Sequence, residues 1–559
     1  MDDNNKRVVL AFALSFVVLV IWYRLFAPTT PPPPQPKPAS PSAPAPAAPA
    51  KPGPAAPSPA APVTLPVQQG TKAAEIVIEG EFSRVTLSTQ GGVIKSWVLK
   101  RYRDEKQAPL DVVNGPACQT LGYPMSLTLA DGELAKKLNT ALFVATPAGA
   151  ELAAPAKVDL TYSDGKIQAR KRLSFGPKYE IHAEISVFDG LRYLPVEVAW
   201  SGGFGDHSLL PAVKSSRNSI IYGTADKLEN VAQRKVEQDR TIAGPLQMAG
   251  LEDRYFASVF LPDLPEQILF HLGRRVWDPP DWKEKEKPKE AFAGLASQQP
   301  KPLAFRLFVG PKDLDVLRAM NPPLDALVDY GWFSIVAKPL FLGLRYLHDR
   351  WTHNYGWAIV ILTVLINLAM FPLKLKSIRS AQEMQRIAPL VKSIQEKYKG
   401  YKLNDPRKQR MNQEIMKLYQ EHHINPLGGC LPMLLQLPFL YGFYKVLDLS
   451  IELRHAPWFA WVKDLSAPDH LYILPTLMII TTFIMQKMTP MTTADPAQQR
   501  MMMIMPIVFG IMFYSFASGL VLYWLTGTIV GIAQQMFINR MIPVQPPVPV
   551  PRKTASAKE

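Results

Sequence analysis

Cysteine is nearly absent: Cys118 and Cys430 are the only two in 559 residues. That excludes a disulfide framework, so any extracytoplasmic domain must fold by burial alone. No His-Cys zinc pattern occurs. Nothing resembles a phosphate-binding Gly-Lys loop, which argues against a machine that consumes ATP itself. The nine histidines are scattered. His422 and His423 adjoin each other without a further ligand at helical spacing, and His182 and His207 have no carboxylate that the sequence places beside them. With no constellation for covalent chemistry, neither an enzyme active site, a metal nor a cofactor is expected. Acidic residues are also short in number, 47 against 62 basic ones, for a net charge of +15. A nucleic-acid binder could carry that charge. Here, however, the basic residues sit in loops beside apolar runs, the pattern of a membrane protein, and no reading of a specific nucleic-acid sequence is expected.

What is present is long apolar runs, unevenly spread. Residues 8–26 span roughly one bilayer thickness. Lys6 and Arg7 precede the run and no small-residue cleavage site follows it, so an uncleaved anchor is expected over residues 1–27. Residues 28–73 form a Pro/Ala-rich linker, extended and semi-rigid. Residues 74–324 read as a periplasmic β-sandwich domain. Tyr179, Ile181, Ala183, Ile185 and Val187 alternate with polar partners, and turn signals such as Ser163-Asp164-Gly165 and Gly91-Gly92 punctuate short runs. Residues 325–354 suit an amphipathic interfacial helix, with closure of the β domain as the plainer alternative.

Five further apolar stretches follow, at 355–373, 427–447, 471–485, 501–516 and 519–538, giving six spans with the anchor. The loop at 374–425 is strongly basic, whereas 448–470 is balanced. The positive-inside rule puts the first in the cytoplasm and the second outside, so both termini are cytoplasmic. Within the basic loop, Ile378, Ala381, Met384, Ile387, Val391, Ile394 and Tyr398 share one helical face, and Met411, Ile415, Leu418 and His422 share another. A cytoplasmic helical hairpin is expected there. The spans then continue over residues 426–540, and 541–559 is a cytoplasmic tail.

The segment 425–438, Asn-Pro-Leu-Gly-Gly-Cys-Leu-Pro-Met-Leu-Leu-Gln-Leu-Pro, opens a span with Pro, Gly and Gln where a plain anchor would carry Leu and Val. Such backbone must be satisfied against other helices or water, which points to a polar cavity in a helical bundle. Thr363 and Asn367 lie one turn apart in the second span and share a face. Gln436 lies in the third, and Tyr523, Trp524 and Thr526 in the sixth. Ordinary interhelical hydrogen bonding is the plainer role for any one of them, and a hydrophilic pathway is the role for the set. Methionine is frequent in the last part, from Met485 to Met512, and could greet varied apolar segments.

Four motifs, Asn425-Pro426-Leu427-Gly428-Gly429-Cys430, Gln486-Lys487-Met488, Asp495-Pro496-x-Gln498-Gln499 and Ser518-Gly519-Leu520-Val521-Leu522-Tyr523-Trp524, stand in order on this topology. In them the chain resembles the YidC membrane protein insertase family, Gram-negative type, over nearly its whole length. The resemblance implies a multidomain membrane protein with six transmembrane helices, an N-terminal anchor plus a five-helix insertase core. It implies a periplasmic β-supersandwich like that of sugar mutarotases, and a hydrophilic groove open to cytoplasm and lipid but closed outside. Leu437, Pro438 and Met512 fall at substrate-contacting positions, and Tyr523 and Trp524 where the sixth span faces the groove; Thr363 matches a groove position. One departure stands out: Asn367, four residues before Phe371-Pro372-Leu373, sits where the family carries Arg, so the usual groove cation is missing. The implied function is insertion and folding of nascent inner-membrane proteins in the lipid bilayer, alone or with the Sec translocon, with the ribosome meeting the basic loop. A secondary transporter is the alternative from another class, although no internal repeat relates the spans. So is a membrane-tethered carbohydrate-modifying enzyme acting through the β domain.

Overall fold

Alternation of apolar and polar residues makes one face of each strand bury and the other face water. In Glu180–Phe188 the buried positions are Ile181, Ala183, Ile185 and Val187. The computed structural model describes residues 64–208, 217–224, 227–279, 282, 287–401, 405–424, 431–489, 496–541 and 548. The anchor expected over 1–27, most of the linker, the 425–430 part of the Asn-Pro-Leu-Gly-Gly-Cys motif, Asp495 and nearly all of the tail lie outside these residues. Two compact units emerge: a β unit of residues 57–329 with 448–452, and a helical unit holding 330–447 and 453–559.

Among the described residues the strands of the β unit form three sheets. The largest, ten-stranded, contains two runs of sequential neighbours. One comprises Val144–Thr146, Ala156–Ser163, Gln168–Phe175 and Glu180–Phe188; the other comprises Leu228–Ala232, Ser219–Gly223, Met248–Glu252 and Phe256–Pro262. Leu303–Pro311, the last strand, pairs antiparallel with Glu180–Phe188 on one side and Phe256–Pro262 on the other, joining the two runs. A five-stranded sheet, with four strands in residues 75–111 and the fifth at Glu151–Ala153, reaches it through Phe82 on Tyr179 and Tyr102 on Phe256, with ring centroids 5.3 and 5.2 Å apart. The other five-stranded sheet reaches it through Phe270 on Tyr222. Phe256–Pro262 is accordingly buried at every position, as a strand covered on both faces must be. The spacer expected to run to residue 73 ends sooner. Leu65 is buried, and Gln68 and Gly70 bond to Ser163 and Leu142, so these residues already belong to the β unit.

Lys171 is wholly buried in this unit. Its Nζ donates to Gly91 O at 2.7 Å, Gly92 O at 3.1 Å and Met125 O at 2.7 Å. Gly91 and Gly92 have φ of +73° and +58°, a turn that presents both carbonyls and that side chains resist. Desolvation pulls the Lys171 ammonium down from its ordinary range to about 7.

Eight helices carry the helical unit among the described residues: α1 (Ser334–Leu347), α2 (Tyr355–Ala369), α3 (Phe371–Lys397), α4 (Pro406–Glu421), α5 (Leu431–Leu449), α6 (Ile473–Met488), α7 (Pro496–Phe513) and α8 (Ser518–Met541). The interfacial helix expected over 325–354 is shorter. Two 3-10 turns precede α1, and a π turn at His348–Thr352 follows it. α1 with that turn is bent by 116° from α2. α2 starts where the Asn354 side chain accepts from Trp357 N and its Nδ2 donates to the Pro457 and Trp458 carbonyls. The apolar stretch 355–373 is not one helix. α2 stops at Ala369, and Pro372, lacking an N–H, sits in the first turn of α3. The basic segment then forms α3 and α4, whose Met384, Ile387 and Val391 pack with Ile415 and Leu418, the faces expected from their periodicity. Among the described residues α8 is the one helix long and apolar enough to cross a membrane by itself, α1 and α2 count as at most one broken span, and α6 and part of α7 are apolar but shorter.

Candidate functional site

Thr363 and Asn367 are both buried on α2, as their one-turn spacing requires. Thr363 Oγ1 donates to Ile359 O at 2.6 Å, and Asn367 Nδ2 to Thr363 O at 2.8 Å. Each thus satisfies a donor on its own helix and keeps an acceptor for a neighbour. From α5, Gln436 Nε2 donates to Tyr523 OH of α8 at 3.4 Å, and Phe443 stacks on the Tyr523 ring at 4.2 Å. Side chains of α2 and α5 approach one residue of α8. A Cβ on Gly527 of α8 would lie 3.6 Å from Gln436 Nε2, 3.7 Å from Asn367 Nδ2 and 3.8 Å from Thr363 Cγ2. Gly527 is therefore the point on which the polar groups of α2, α5 and α8 converge.

The remaining candidates sit outside this hydrogen-bonded group. Trp524 packs its ring against Phe513, Pro438 is half-buried within α5, and Leu437 and Met512 are exposed apolar side chains. Leu437 and Met512 are two of many exposed apolar side chains in the helical unit, among them Leu365, Ile504, Ile507, Val508, Ile511, Ile529 and Phe537. Exposed apolar side chains in this number suit lipid or an apolar partner.

Two participants were not among the candidates. Lys374, counted from the sequence as the first charge of the basic loop, turns back from α3. Its Nζ donates to Asn367 Oδ1 at 2.6 Å and to Gln534 Oε1 at 3.3 Å. Gln534 Nε2 in turn donates to Asn367 O at 3.0 Å. The group beside Asn367 is therefore not without a cation, contrary to what Asn at that position implies. Seven residues separate Asn367 from Lys374, two turns of helix, and Tyr523, Gly527, Gly531 and Gln534 follow i+4, i+4, i+3 along α8; these spacings were the available signal. The ammonium also sits by the C-terminal turn of α2, where the helix dipole favours positive charge.

Hydroxyl, carboxamide and ammonium groups can solvate a polar chain segment. They supply no metal-ligand set and no activated nucleophile. In the β unit, His182 pairs with Asp263 at 2.9 Å on an exposed surface, and His207 Nε2 meets Val112 O at 3.1 Å. A separate open cavity of about 410 Å³ is lined by Asp111, Asn114, Asp206, His207, Trp277 and Glu290.

The model of the 60Kd inner membrane protein family matches residues 346–545, and that of the YidC periplasmic domain matches residues 75–342. The membrane protein insertase YidC of Syntrophus aciditrophicus (strain SB) is 34% identical over 559 residues, covering 96% of this chain and 99% of its own length. The chain belongs to the YidC membrane protein insertase family. The YidC of Pelobacter propionicus (strain DSM 2379 / NBRC 103807 / OttBd1) is 36% identical over 564 residues, with 96% and 99% covered. A crystal structure of an active YidC insertase with its first transmembrane domain resolved aligns over 84% of this chain and 94% of its own, at 19% identity and a TM-score of 0.35. Within the family, the β unit is the part matched as the YidC periplasmic domain, and the helical unit is the part matched as the inner membrane protein.

Proposed function

We propose that this chain inserts nascent proteins into the bacterial inner membrane and assists their folding. The convergence of α2, α5 and α8 polar groups on Gly527 carries that reading. In it the protein has six spans, both termini in the cytoplasm, the β unit in the periplasm, and α3–α4 as a cytoplasmic hairpin that receives the substrate near the ribosome. Thr363, Asn367, Gln436 and Tyr523 line a wet groove. The hydrophilic end of a nascent segment enters it, and the apolar body leaves along α2, α5 and α7 past Leu437, Pro438, Met512 and Trp524 into lipid. Moving a bare charge to the bilayer centre costs about 2.5–3.5 kcal/mol on insertion scales. A groove that hydrates the charge for part of the way lowers that barrier, and burial of the apolar helix in lipid drives the step. Some substrates would come through the Sec translocon and others directly.

The test is insertion of a small phage coat-like protein into liposomes holding only this chain. Gly527→Ala should retain most of the rate, because its Cβ finds ordinary contact distances. Gly527→Leu should lose about tenfold, since it fills the space where polar groups and water meet. Insertion no faster than in protein-free liposomes would overturn the reading, and equal rates for Leu and Gly would remove the groove from it.

A further inference from the structure

We infer that Lys374 is the group of this chain that receives negative charge from the substrate, taking the carboxylate of an acidic residue in the entering polypeptide. The inference rests on the insertase reading and names a specificity determinant within it.

The geometry supplies three reasons. First, the ammonium is half-buried but held by carboxamide oxygens alone, Asn367 Oδ1 at 2.6 Å and Gln534 Oε1 at 3.3 Å. Among the described residues no carboxylate forms an ion pair with it. A partly desolvated cation on neutral acceptors is under-compensated, and an ionised acceptor makes a shorter and stronger bond. Second, the longer of the two bonds is the one to give way. When a carboxylate oxygen replaces Gln534 Oε1, the Gln534 amide, now on Asn367 O at 3.0 Å, is within reach as a donor to the second oxygen. The site thus offers one charge and at least one further N–H, which matches a carboxylate. Third, the lysine is bonded to Asn367, whose amide lies beside Gly527, as do the amide of Gln436 and the methyl of Thr363, with Gln436 bonded on to Tyr523. A segment held in the groove by its backbone would have its acidic side chain beside Nζ. Because lysine is a flexible point charge, the bond is exchangeable, as passage through the groove requires.

The experiment compares matched substrates whose leading segments are acidic, neutral or basic, inserted into liposomes by the full chain and by Lys374→Gln, Lys374→Arg and Lys374→Glu. Lys374→Gln should slow the acidic substrate by about tenfold, and by much more than the neutral one, the usual size of losing a hydrogen bond to a charged group. Lys374→Arg should restore most of that rate, and Lys374→Glu should reverse the order, favouring the basic substrate. A purely structural lysine would give equal slowing of all three substrates in Gln and Glu variants, which would overturn the inference while leaving the insertase reading in place. Failure of the unaltered chain to insert any substrate would instead overturn the insertase reading. The same ammonium could hold a lipid phosphate. A Lys374→Gln defect that tracks the anionic-lipid content of the vesicles and ignores substrate charge would assign it to lipid and reject the polypeptide carboxylate.

Discussion

Lys171 shows how one side chain can set the pH response of a sheet. Its ammonium is buried on three carbonyls and released from its proton near pH 7, against about 10.4 for an exposed lysine. Below pH 7 folded and unfolded chains both hold the proton, and the full desolvation cost weighs on the fold. Between about pH 7 and 10.4 the unfolded chain binds more proton than the folded one, so stability rises with pH. Above that window both forms are neutral and the cost is gone. Hydrogen exchange of the strands around Lys171, followed in the whole protein, should therefore show protection increasing from pH 7 to 10 after correction for intrinsic exchange. Lys171→Met should flatten that slope and also lower protection overall, because three buried carbonyls lose their donor. A slope unchanged in the Met variant would remove Lys171 as its cause. Such a residue is hard to see in a sequence. The strand Gln168–Phe175 alternates, and Lys171 falls on its buried face with Ala169 and Leu173, but carbonyls distant in sequence, from the Gly91-Gly92 turn and Met125, make that position tolerable. Lys374 escaped notice for the same reason: its partners Asn367 and Gln534 meet through tertiary structure, while the sequence presents it as one basic residue in a basic loop.

Among the elements, the start of α2 is tightly fitted. A Cβ on Gly356 would lie 2.2 Å from Trp458 Cδ1, and Trp458 also stands edge-on to Trp357 with centroids 5.6 Å apart. Gly356→Ala gains about 1 kcal/mol of helix propensity. It must nonetheless displace an indole, which costs about 1–3 kcal/mol. The net result should be a lower unfolding temperature in detergent, and a Tm equal to or above that of the unaltered chain would show that Trp458 moves freely. Elements of this kind were partly legible. Periodicity in the basic loop gave the faces on which α3 and α4 pack, because a period near 3.6 survives whatever the partner. The break after Ala369, inside the apolar stretch 355–373, was not legible, because hydropathy counts Phe371, Pro372 and Leu373 as apolar and ignores that Pro372 carries no N–H. The polar cluster itself was legible as a set of residue types. Its meeting point at Gly527 was not, since a missing side chain leaves no mark in a polarity pattern.

For the whole molecule, orientation is the open quantity that charge decides. Lys392→Cys and Lys408→Cys, in a chain whose Cys118 and Cys430 are replaced, should react with an impermeant thiol reagent only from the cytoplasmic side. Lys463→Cys should react only from outside. Lys463 is preferable to its neighbour Asp464, whose carboxylate holds His455 N and Ser466 N and so shapes its loop. Labelling of position 392 from outside would invert the topology. One further consequence follows from where Leu303–Pro311 sits in the large sheet. As the chain is synthesised, the runs ending at Phe188 and at Pro262 can each assemble early from sequential neighbours. Their exposed borders, Glu180–Phe188 and Phe256–Pro262, then wait for a strand made more than forty residues after the second run. Until it arrives, two unpaired strand edges are open to pairing with other chains, with no disulfide to hold them apart. The vulnerable moment in this protein's own biogenesis is therefore the interval before residue 311 emerges, and a stall there would leave a nearly complete β unit prone to aggregate.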